Sequence, residues 1–136
     1  MSLGPDDPRI AAAEETYAAL TAGDVDAAVA RLHRDIVFDW SRSHSPYQGV
    51  YEGREVVRGL IQELRESFED LEYFTEEWID AGERIVRVGG VRGGGRGSGA
   101  DVAMVGAQVV EFSGESASRV TLYQTKDEAL EAVGLS

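Results

Sequence analysis

The chain has 136 residues, 43% of them hydrophobic, and a formal net charge of −12. That length makes one domain able to bury its own core, and the composition argues against a disordered chain. The 25 acidic against 13 basic residues repel a phosphate backbone, so no nucleic-acid partner is expected, and the absence of cysteine excludes disulfides, thiolate metal sites and cysteine nucleophiles.

Residues 1–7 are read as a disordered tail or a cloning remnant, and 8–136 as one domain. The first helix is expected near Pro8, where a missing N–H costs nothing. Ile10, Ala13, Tyr17 and Leu20 recur at helical spacing, and Gly23 ends the run. Asp24 can cap a short second helix with Val25, Ala28, Val29 and Leu32 on one stripe and His33 at its end. Ile36–Trp40 reads as a strand with Ile36, Phe38 and Trp40 on one face, and Val37 and Asp39 on the other. Residues 41–53 read as a polar, glycine-bearing loop.

A long helix is expected from Arg54 to Glu69, buried through Val57, Leu60, Ile61, Leu64 and Phe68. Four strands follow: Leu71–Ile79, Arg84–Val91, Val102–Phe112 and Arg119–Thr125. Turns at Asp80–Gly82 and Ser113–Gly114 make them an antiparallel meander. A capping box, Thr125 to Glu128, opens a last helix that Gly134 can end. The fold class is α+β: a curved, mixed, largely antiparallel sheet wrapped around a long helix, with N-terminal helices. No signal peptide and no apolar run long enough to cross a bilayer are seen, so no membrane partner and a cytoplasmic location are expected. One lysine among many arginines, with abundant Ala and Gly, points to a bacterial, GC-rich source.

Several strings in this order resemble the SnoaL-like domain family of the nuclear transport factor 2-like superfamily. They are Tyr17-Ala-Ala-Leu-Thr-Ala-Gly-Asp24, Asp35-Ile-Val-Phe-Asp-Trp40, Gly49-Val-Tyr-Glu-Gly53, Gly95-Arg-Gly-Ser-Gly99 and Glu128-Ala-Leu-Glu-Ala-Val-Gly-Leu135. The resemblance implies a cystatin-like cone, a pocket between sheet and helices, a small apolar partner molecule and a homodimer formed through the outer sheet face. It implies no single function, because such folds carry isomerases, cyclases, hydrolases and binding modules.

Against the ketosteroid isomerases of the superfamily, the carboxylate base falls at Trp40, the first-helix tyrosine at Thr16 and the protonated aspartate at Gln108. All three depart from the pattern, and enolisation needs a base beside the C–H. The acid/base candidates left are His44 and Asp39. His44 is suited to proton transfer near neutral pH if its loop closes over the pocket, and is otherwise an exposed loop histidine. Asp39 needs a β-bulge to turn inward, and is otherwise a solvent or interface carboxylate. Phe38, Trp40, Tyr47, Tyr51, Gln108 and Tyr123 are the ligand-binding candidates, with ordinary packing as the alternative reading. Gln108 interrupts an apolar strand, and a buried amide needs a partner. Val86 and Val88 are expected to face inward. Arg87 between them is expected outward, pairing with Glu77 or Glu111. The glycine-rich stretch 89–99 lacks the Lys-Ser/Thr and helix of a phosphate loop and reads as a hairpin. No cofactor and no metal site are expected. An isomerase, cyclase or hydratase, and a non-catalytic binding or dimerisation module, both remain open.

Overall fold

The computed structural model describes residues 7–95 and 101–135. The string Gly95–Gly99 therefore lies outside the described residues apart from Gly95 itself, as does the expected tail apart from Asp7. Among the described residues the chain forms four helices and one six-stranded sheet.

Helix α1 (Pro8–Ala22) starts as the sequence dictates. The Asp7 carboxylate accepts from the Arg9 amide at 2.8 Å, and Gly23 closes the helix at φ 89°. Asp24 caps α2 (Val25–Ala30), accepting from Ala27 at 3.1 Å. This helix stops before His33, which instead takes the Asp35 amide on Nδ1. Strand β1 is Val37–Asp39. The expected loop that follows holds a further strand, β2 (Val50–Glu52), hydrogen-bonded antiparallel to β1. Three residues are too few to show a period, which is why the sequence hides it.

Helix α3 (Arg54–Glu66) buries Val57, Leu60, Ile61 and Leu64. It ends three residues earlier than the spacing suggests. The Ser67 hydroxyl donates back to the Glu63 carbonyl, and Phe68 already begins β3 (Phe68–Ala81). Strands β4 (Arg84–Gly95), β5 (Asp101–Ser113) and β6 (Ser116–Tyr123) complete the meander, and Thr125 caps α4 (Lys126–Ala132). The sheet order is β2-β1-β6-β5-β4-β3, antiparallel except where β1 lies parallel to β6.

Both faces of this sheet are apolar. On one, Ile85, Val110 and Val120 pack with Ile10, Val29, Val57 and Ile61 from the first three helices. On the other, Ile79, Val86, Ala107 and Val109 pack with Ala129 of α4. A strand covered on both sides carries no polar face, so its hydrophobic pattern does not say which face is which. No described helix is long and apolar enough to cross a membrane.

Candidate functional site

The helices do not fill the concave face of the sheet. They leave a cavity of about 380 Å³. Its walls are Leu60, Ile61 and Leu64 of α3, Ala13 and Tyr17 of α1, Phe38 and Trp40 at the end of β1, and the inward residues of β4, β5 and β6. The Phe38 and Trp40 rings stack at 6.3 Å, 16° apart. Most of the wall is hydrocarbon, and the polar groups are few and placed.

The central polar group is Arg87. It is 2% exposed and lines the cavity. Its Nη1 donates to Gln108 Oε1 at 2.7 Å, its Nε to Thr75 Oγ1 at 2.8 Å, and its Nη2 to the Phe74 carbonyl at 2.7 Å. The guanidinium carbon sits 3.9 Å from the centroid of the Tyr17 ring, a cation–π contact. Among the described residues no carboxylate lies within ion-pair distance of it. Glu77 pairs instead with Lys126 at 2.8 Å, and Glu111 with Arg119 at 3.9 Å. The outward placement expected for Arg87 is thus reversed, and Val86 and Val88 occupy the α4 face. The reason is phase: one residue of slip exchanges the two faces of a strand. With valines covered on both sides, nothing local marks the slip.

Gln108 lies directly across from Arg87 in the β4–β5 register, lines the cavity and is 9% exposed. Tyr73 lines the wall beside Tyr17, their rings 5.8 Å apart. Burial, and then the neighbouring Tyr17, push the Tyr73 phenol above its ordinary value, so it stays a protonated hydroxyl at neutral pH. His44, Arg31 and Glu115 line the cavity but are exposed, so they stand where it meets solvent.

The other sequence candidates lie elsewhere. Asp39 is buried away from the cavity. It accepts from the Ser41 hydroxyl at 2.6 Å and the Ser41 amide at 3.1 Å, and pairs with Arg119 at 2.8 Å. The Ser41 hydroxyl, ahead of burial in its effect, and then the Arg119 guanidinium hold its carboxyl below the usual range. Alternation in β1 keeps it opposite Trp40, and no bulge rotates it inward. Tyr47 and Tyr51 form a layer behind Trp40. The Tyr47 hydroxyl bonds to Ser67, the Tyr51 hydroxyl donates to the Tyr47 carbonyl at 2.7 Å, and the Tyr51 ring meets Trp40 edge-on. Tyr123 faces the α4 side, beneath Arg42, because Leu122 is the residue paired with Gln108. Among the described residues no cluster of three His, Asp or Glu is close enough to hold a metal ion.

Such an arrangement, a curved sheet and helices around an apolar cavity with a few inward polar groups, defines a cone-shaped α+β fold. The sequence profile of the SnoaL-like domain matches residues 13–120, and the chain belongs to that family. No curated protein matches it. An NTF2-like protein of unknown function from Burkholderia pseudomallei superposes with a TM-score of 0.75 at 22% identity, covering 93% of this chain and 98% of that one. A Mycobacterium tuberculosis protein, solved with estradiol-17beta-hemisuccinate, gives 0.72 at 16% identity over 88% and 95%. A protein from Catenulispora acidiphila with a ketosteroid isomerase-like fold, solved with trimethylamine, gives 0.72 at 18% over 92% and 93%. At these identities the likeness carries the fold.

Proposed function

We propose that the chain binds one small, largely apolar molecule in the cavity between its sheet and helices. The observation that carries this reading is the 380 Å³ cavity itself, walled by Leu60, Ile61, Phe38 and Trp40 with Arg87 and Gln108 at one point. That combination of an apolar wall and few convergent polar groups is the usual form of a small-molecule site. Structural relatives solved with a steroid ester and with an amine support a small-molecule partner and leave its identity to the local wall. The test is a fluorescence titration with N-phenyl-1-naphthylamine, a neutral probe whose emission rises in apolar surroundings. One saturable site per chain is expected; no saturable binding would contradict the proposal. A homodimer belongs to the same reading, supported by the exposed Val105 on β5 and checked by native mass spectrometry.

A second reading, an isomerase, cyclase or hydratase, is favoured by one observation: His44 lines the cavity where it opens. It is the candidate proton carrier, since Asp39 is committed to Arg119 and Ser41. Exchange of the α-protons of 2-tetralone in heavy water, followed by NMR, tests it. Catalysed exchange that His44→Ala abolishes supports the enzyme; no catalysis by the wild type counts against it.

A further inference from the structure

Arg87 presents a problem of charge. A guanidinium does not lose its proton in a protein, so the cavity wall holds a permanent positive charge. It is 2% exposed, and every partner it has among the described residues is neutral: Gln108, Thr75, the carbonyls of Phe74 and Gly90, and the Tyr17 ring. A buried ion without a counter-ion is costly, and hydrogen bonds to neutral groups offset only part of that cost. The chain has a surplus of carboxylates, yet among the described residues none is placed against this arginine.

The donor inventory points the same way. A guanidinium has five N–H groups. Among the described residues four are engaged, one of them at 3.5 Å, and one Nη1 hydrogen has no acceptor. Gln108 accepts from Nη1 through Oε1, so its Nε2 remains as a donor. Among the described residues nothing accepts from that Nε2. Nor is it a sealed, unsatisfied atom: among the described residues only Trp78 Nε1 is one. Two donors on neighbouring strands, one of them cationic, therefore border the same apolar cavity with no acceptor assigned to them.

The geometry assigns an acidic oxygen to this point: the molecule the cavity takes is an apolar anion whose negatively charged oxygen meets Arg87 Nη1 and Gln108 Nε2. This rests on the pocket reading above and adds the charge of the ligand to it. A carboxylate, sulfonate, phenolate or enolate on a ring system shares the required chemistry. The assignment runs against the protein's overall charge of −12, which by itself repels anions. A preference for the anion must therefore come from the local cation.

A matched pair of probes separates the two claims. 8-Anilino-1-naphthalenesulfonate and N-phenyl-1-naphthylamine share one skeleton, and only the first carries an anionic group. Fluorescence titrations of the wild type with each are expected to show the sulfonate bound about tenfold tighter, the scale of one charge-assisted hydrogen bond. In Arg87→Met the two affinities should fall within about threefold of each other, mainly through weaker sulfonate binding. The wild-type comparison does not depend on how well the variant folds. Equal affinity for both probes, or tighter binding of the neutral one, would overturn the anion assignment and leave the pocket reading standing. So would a preference that survives in folded Arg87→Met. Binding of neither probe would contradict the pocket reading itself, and the anion assignment would fall with it.

Discussion

Arg87 and Gln108 stand directly opposite each other on β4 and β5, and the Arg87 Nη1 donates to Gln108 Oε1 at 2.7 Å. Each explains the other. The amide gives the cation an acceptor, and the cation fixes which way the amide turns.

That pairing predicts a specific energetic signature. Gln108→Leu leaves Arg87 Nη1 without an acceptor and should lower stability by about 2–3 kcal/mol in urea denaturation at pH 7. The double change Arg87→Met with Gln108→Leu removes both polar groups and should recover part of that loss. Strictly additive single effects would show that the two side chains are not coupled.

Cavity-lining and supporting aromatics should separate in binding. Trp40→Ala removes a ring from the wall and should weaken N-phenyl-1-naphthylamine binding about tenfold, close to 1.4 kcal/mol. Tyr47→Phe removes only the hydroxyl bonded to Ser67, and Tyr123→Phe touches the opposite face. Both should leave the affinity within about twofold, since neither side chain lines the cavity. Tyr47→Phe should instead cost about 1 kcal/mol of stability.

Asp39 makes a pH prediction. Its folded pKa is depressed, chiefly by the Ser41 hydroxyl and also by Arg119. A depressed carboxyl contributes stability that is complete above its unfolded pKa of about 3.9 and is lost as pH falls through the lower folded value. Asp39→Asn should therefore cost about 1 kcal/mol at pH 7, a modest figure because Arg119 is partly exposed. The gap between variant and wild type should begin to narrow below about pH 4 and keep closing with further acidification. A gap that is constant from pH 7 to pH 3 would contradict the assignment.

The cavity floor depends on close strand approach at Gly90. A β-carbon there would run into the Met104 carbonyl of β5, which is backbone and cannot turn aside. Gly90→Ala should destabilise by about 2–3 kcal/mol, measured by thermal or urea unfolding. A neutral effect would mean that β4 and β5 lie further apart than described.

What the sequence reveals follows from where its signals are strong. Pro8, Gly23, Asp24, Thr125 and the stripe Val57–Leu64 announce helices because caps and helical period are local properties. Phe38, Trp40 and Gln108 could be placed on the cavity side from single-strand alternation. Arg87 and Tyr123 could not. Their phase depends on the β4–β5 and β5–β6 registers, which are set across strands and not within them. One signal was available: if Gln108 faces inward, its cross-strand partner must too. Using it requires knowing how β4 and β5 are joined, and the glycine-rich connection between them hides the register. Tyr73, on a strand with two register shifts, is lost for a similar reason.

The central claim is that the space between sheet and helices holds a small molecule. A crystal structure of the chain grown with N-phenyl-1-naphthylamine tests it most directly. The probe's rings are expected between Trp40 and Leu60, with Arg87 and Gln108 at one end of the same space. Collapsed helices with the probe absent, or found only on the outer surface, would contradict it.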